Sequence, residues 1–136
     1  MFYAVIDTNV LVSALLSQHE DAATFKVLEA LLKDQVVPLY NEDILDEYVE
    51  VLNRPKFHFS NTLVKYYINA IKEKGIPSHR ISSSEYFPDP KDIVFYEVAL
   101  SKEDAYLVTG NIKHFPRTAI VVTPAEMMQI ISKGHQ

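Results

Sequence analysis

Four short apolar runs separated by longer stretches of helical period constrain this chain more than any other feature. They are residues 2–6 (Phe-Tyr-Ala-Val-Ile), Val36–Tyr40, Ala105–Thr109 and Ile120–Val122. Runs this short do not make helices, and unbroken apolar runs suit strands buried on both faces. Asn9 is placed to cap a first helix over residues 10–17, and Phe25, Leu28, Leu31 and Leu32 recur at helical spacing over 21–34. Asn41 reads as the cap of a helix that stops before Pro55. Ser60 opens another, ended by Gly75 and Pro77. His79–Ser83 reads as an edge strand or a loop. Asp89-Pro90 predicts a helix start, with the helix running to Lys102, and Thr123-Pro124-Ala125-Glu126 predicts a capping box for the last helix. Strands alternating with helices in this order predict an α/β fold with a mostly parallel sheet covered on both faces.

The length of 136 residues fits one domain, 1–136. There is no cysteine, which excludes disulfides and thiolate metal sites. The opening MFYAVIDTNV lacks the basic segment of a signal peptide, and no apolar run reaches membrane-spanning length. The cytoplasm is therefore the expected location, with no membrane partner. The net charge of -5 is a poor match to a nucleic-acid binder that works by charge alone. A clustered acidic site that carries a cation would reconcile that acidity with a phosphate substrate, because a bound cation reverses the local field.

Sites in parallel sheets form outside the carboxyl ends of strands. That rule points to Asp7 and to Gly110-Asn111, which follow two of the apolar runs. A carboxylate ending a buried strand starts close to the low-dielectric interior, where ionisation needs a partner. Asp7 reads equally as a turn residue serving the first helix. Glu47 lies on a helix whose broad apolar face is Ile44, Leu45, Tyr48, Val49, Val51 and Leu52. It sits at the edge of that face, whereas Glu50 lies opposite and Asp43 and Asp46 point outward. Glu47 thus reads either as an exposed helix charge or as a group reaching across the rim of the sheet. In Asp89-Pro90-Lys91-Asp92, capping accounts for Asp89. Asp92 suits the first turn of a helix and also suits a metal at the sheet edge. Three such carboxylates at one end of a sheet would repel one another unless a cation neutralised them. All-oxygen ligands suit Mg²⁺ or Mn²⁺, which activates water and braces a phosphodiester oxygen.

In order and spacing the segments Val5-Ile6-Asp7-Thr8-Asn9-Val10, Ile44-Leu45-Asp46-Glu47-Tyr48 through Val51-Leu52-Asn53-Arg54-Pro55-Lys56-Phe57, Asp89-Pro90-Lys91-Asp92 through Ala99-Leu100, and Tyr106-Leu107-Val108-Thr109-Gly110-Asn111 form a set. The chain resembles the PIN-domain nucleases over residues 4–115, in particular the toxin components of prokaryotic toxin–antitoxin pairs. The resemblance implies a three-layer α/β/α sandwich around a mostly parallel sheet of about five strands. It implies a Mg²⁺- or Mn²⁺-dependent endoribonuclease that hydrolyses single-stranded RNA. Asp7, Glu47 and Asp92 take the metal-binding and catalytic roles in that family. Asn111 stands where a fourth aspartate is common, so it adds a carbonyl but no charge. Asn9 and Thr109 match supporting positions. A homodimer and an antitoxin protein partner are implied as well.

Lys91, Arg54, Lys56 and Lys113 are candidates to meet an RNA backbone, or are solvated surface charges. His114 reads as a surface residue rather than a general base. Tyr66 and Tyr67, on a helix with Leu63, Ile68 and Ile71, read as core or dimer packing. Two readings compete with the nuclease. One is a PIN-fold module with weak or no catalysis that acts by binding RNA or protein, favoured by Asn111 and the acidic charge. The other is a phosphotransfer domain. Haloacid-dehalogenase phosphatases want a second aspartate two residues after the first, where this chain has Asn9.

Overall fold

The computed structural model describes residues 1–17 and 19–134. Five strands form one sheet: β1 (Phe2–Ile6), β2 (Val36–Tyr40), β3 (Ile76–Pro77), β4 (Ala105–Val108) and β5 (Val121–Val122). All pairings are parallel, in the spatial order β3-β2-β1-β4-β5. Ala4, Val5 and Ile6 are consecutive and all fully buried. Successive strand residues face opposite sides, so both faces of the sheet are covered and the fold is the expected three-layer α/β sandwich.

Six helices cover it: α1 (Thr8–Leu16), α2 (Ala23–Leu32), α3 (Glu42–Leu52), α4 (Asn61–Lys74), α5 (Ile93–Ala99) and α6 (Pro124–Gly134). Three of the capping expectations hold at atomic detail. Asn41 Oδ1 accepts from the Ile44 amide at 2.9 Å, and Ser60 Oγ from the Leu63 amide at 3.1 Å. Thr123 and Glu126 form a reciprocal capping box. Gly75 ends α4 by close approach, because a Cβ there would lie 2.5 Å from the carbonyl oxygens of Ile71 and Pro38.

Other expectations are corrected. Asn9 does not cap α1, which begins at Thr8 after Asp7. Of the two readings of His79–Ser83 the structure has the loop, and the edge strand is Ile76–Pro77. Asp89 does accept from the Lys91 amide at 3.0 Å, but the structure it caps is a 3-10 turn over Pro90–Asp92. The helix that follows, α5, ends at Ala99 and not at Lys102. Val49 is exposed, so the buried face of α3 narrows to Ile44, Leu45, Tyr48 and Leu52. Tyr66 is exposed and stacks edge-on against Tyr67, so it is not a core residue.

The strand order reverses between β1 and β4, the two strands leaving the centre in opposite connection directions. Ile6 pairs with Val108, which brings the carboxyl ends of both strands level. Such a switch point leaves a crevice outside the strand ends.

Candidate functional site

Asp7 and Thr109 meet in that crevice because each follows the last residue of a paired strand. The Asp7 amide extends the ladder by donating to the Val108 carbonyl at 2.9 Å. Thr109 Oγ1 donates to Asp7 Oδ2 at 2.7 Å and accepts from the Asn111 amide at 3.0 Å. Both residues are buried. Asp7 occupies the N-cap position of α1, yet its carboxylate makes no capping bond. Its side chain therefore does not do the work that a helix start asks of an aspartate.

Glu47 comes from the rim of α3, as its wheel position predicts, and accepts a hydrogen bond from the Thr8 hydroxyl, 39 residues away. Thr8 itself is buried in the first turn of α1. Glu50 and Asp43 are exposed on the outside of α3, and Glu50 pairs with Arg54 at 2.9 Å. Asp92 sits at the N-cap position of α5 and, like Asp7, makes no capping bond. Its Oδ2 lies 3.8 Å from His114 Nδ1.

The three carboxyls share one electrostatic environment. Burial raises the pKa of Asp7, only partly opposed by the bonds from Thr109 and the Thr8 amide and by nearby His114. Burial also raises Glu47; the Thr8 bond opposes it and the Asp7 carboxylate adds to it. Asp92 is pushed up to about 6 by burial first, then by the charges of Asp7, Asp89 and Glu47, against the pull of His114. Burial thus disfavours ionisation at three acids from separate parts of the chain, and the Asp7 charge adds to the effect at Glu47 and Asp92.

Their chemistry fits a hard divalent cation. The donors are all oxygen, and no thiolate is available in the chain. Among the described residues no three Asp, Glu or His side chains stand close enough to share one ion as they lie.

The supporting positions separate. Thr109 is at the centre. Asn111 contributes its backbone amide, and its side chain makes no capping bond to the 3-10 turn Ile112–His114 that follows. Asn9 is exposed and lines, with Asn111, Gly110 and Ser13, a neighbouring cleft of about 440 Å³. Of the candidate cations, Lys91 acts on Glu47. Arg54 is engaged by Glu50, and Lys56 lies over the Phe57 ring.

Three residues had no role in the reading of the sequence and gain one here. Thr8 orients Glu47. Tyr48 is fully buried and donates from its hydroxyl to the Ile6 carbonyl at 2.5 Å, tying α3 to the end of β1. His114 faces Asp92. A hydroxyl within the apolar face of α3 was the one available signal for Tyr48; nothing local marks the other two.

Comparison with the curated proteins and with the solved structures gave no match. A protein-family model described as PIN domain matches residues 3–113. PIN domains are generally nucleases that use divalent metal ions. That span holds β1 through β4 and every carboxylate of the crevice, so the chain belongs to the PIN-domain family.

Proposed function

We propose that the chain is a Mg²⁺- or Mn²⁺-dependent endoribonuclease that hydrolyses single-stranded RNA in the cytoplasm, with Asp7, Glu47 and Asp92 as its metal-binding and catalytic carboxylates. One observation carries this reading: three carboxyls gathered at the sheet's switch point, each with its pKa raised first by burial. When bound, the divalent ion supplies an activated water and offsets charge developing on the phosphodiester. Thr109 and Thr8 donate to Asp7 and Glu47 and orient their carboxylates at the crevice. Lys91, on the turn that carries Asp92, offers a cation to the phosphate. Asn111 provides a neutral amide beside the acids. The toxin role, an antitoxin protein that silences it and a homodimer complete the reading through the family resemblance.

A second reading is a weakly catalytic or inactive module that acts by binding, favoured by the neutral Asn111 at the crevice. The test incubates purified protein with single-stranded and structured RNAs in EDTA, Mg²⁺ or Mn²⁺, beside Asp7→Asn and Asp92→Asn. Cleavage that requires metal and disappears in both folded variants supports the nuclease. Binding of Mn²⁺ without turnover on any RNA supports the second reading.

A further inference from the structure

After β4 the chain passes through Asn111 into the turn Ile112–His114, and a cavity of about 520 Å³ is lined by that turn and the residues that follow it. Its walls are Ile112, Phe115, Pro116 and Val121, and its charged groups are Lys113 and Arg117. The volume lies within the range of small-ligand pockets, as does the pattern of an apolar wall with a few polar groups. Two features narrow the occupant. The first is charge: both ionic groups are cations, and among the described residues neither pairs with a carboxylate, in a chain of net charge -5. The second is continuity, because the same turn that lines the cavity with Ile112 and Lys113 presents His114 to Asp92. A ligand suited to this lining is apolar in its body and anionic at its edge.

We propose that this cavity is a nucleotide subsite. It takes one unpaired base of the substrate strand against Ile112, Pro116 and Val121, and Lys113 and Arg117 contact the phosphates flanking it. The inference rests on the nuclease reading for its substrate and supplies what that reading lacks, a surface that distinguishes one strand position from another. An unstacked base splayed into an apolar pocket is how single strands are read, whereas a duplex keeps its bases stacked and out of reach.

The experiment has two arms. Binding is read with a fluorescein-labelled, 2′-O-methyl single strand that resists cleavage, on wild type, Arg117→Ala and Ile112→Trp. Both substituted residues are exposed, so neither change opens a gap in the core. Affinity should fall about fivefold or more in each. For Arg117→Ala the slope of log affinity against log salt should also shrink by about 0.7, one lost phosphate contact. Cleavage is read separately on a randomised RNA pool. A base preference at one position beside the cut should weaken in Ile112→Trp. Wild-type affinity and salt slope in both variants overturn the subsite. If no RNA is cut, the nuclease reading fails in the second arm alone, and the first still decides the subsite.

Discussion

Asp92 sits half-buried among other carboxylates at the sheet's switch point. Its carboxyl, ordinarily at 3.8, is pushed up to about 6, so the folded chain holds that proton more tightly than the unfolded chain. Stability from this group is fully present below about 3.8 and is lost as pH rises through about 6. Asp92→Asn removes the loss. Its melting temperature at pH 7.5 should therefore exceed that of the metal-free wild type, with a flatter profile between pH 4 and 6 in calorimetry. The same protonation competes with a cation, so Mn²⁺ affinity should fall as pH drops through about 6 in wild type and vary less in the variant. Calorimetric titration at pH 5, 6 and 7.5 measures it. An unchanged affinity would remove Asp92 from the metal site. Tyr48→Phe deletes a hydroxyl and leaves the Ile6 carbonyl without that donor in a buried setting, at a cost of about 1–3 kcal/mol. Urea unfolding checks the cost. Because Ile6 precedes Asp7, cleavage should weaken further than the stability loss alone explains.

At the scale of elements, the segment from β3 to Asp89 has little regular structure, and α5 holds it. Glu97 is buried on α5 and accepts from Arg80 Nε at 2.8 Å and from the Ser83 amide at 2.7 Å, and its own carbonyl accepts from the Ile81 amide. Burial works against that carboxylate, but the Ser83 and Arg80 bonds outweigh it and hold its pKa below the usual range. Its contribution to stability is therefore present above the ordinary glutamate pKa and lost as pH falls through the lowered folded value. Glu97→Gln should destabilise the fold by about 1–3 kcal/mol. It should also speed limited proteolysis within residues 81–89, with β1 and β4 still protected. Equal cleavage rates in the two proteins would show that the loop is held by something else. Strand and loop are indistinguishable from the local sequence of residues 79–83, because the anchor of the segment lies 14 to 17 residues away on another element. Helix starts were more legible, since Asn41, Ser60 and Thr123 act on amides three residues ahead. The same local logic misplaced the cap of α1 on Asn9, because Asp7 takes the capping position while a tertiary bond from Thr109 engages its carboxylate.

Across the whole molecule, the sheet centre sets both stability and site geometry. Leu107 is fully buried between Val5 of β1 and Val121 of β5. Leu107→Ala should cost about 2–5 kcal/mol through lost burial and a residual cavity. Mn²⁺ binding should weaken alongside, because the variant loosens the pair of strands that aligns Asp7 with Thr109. Thermal unfolding with and without Mn²⁺ measures both. A cost below about 1 kcal/mol would mean that the core collapses around the missing methyls.

What the amino-acid order settled by itself is local or periodic. Four of the five strands, the helix starts with a nearby acceptor and the edge position of Glu47 all follow from patterns within a few residues. The ordered set of motifs added the family. β3 escaped because two residues carry no period, and its pairing depends on Leu39 and Tyr40 of β2. Only the tertiary structure decided that Thr8 serves Glu47, that Thr109 serves Asp7 and that His114 meets Asp92. Each of these joins residues 22 to 102 positions apart, brought together by parallel pairing at the switch point, a proximity that no local propensity encodes.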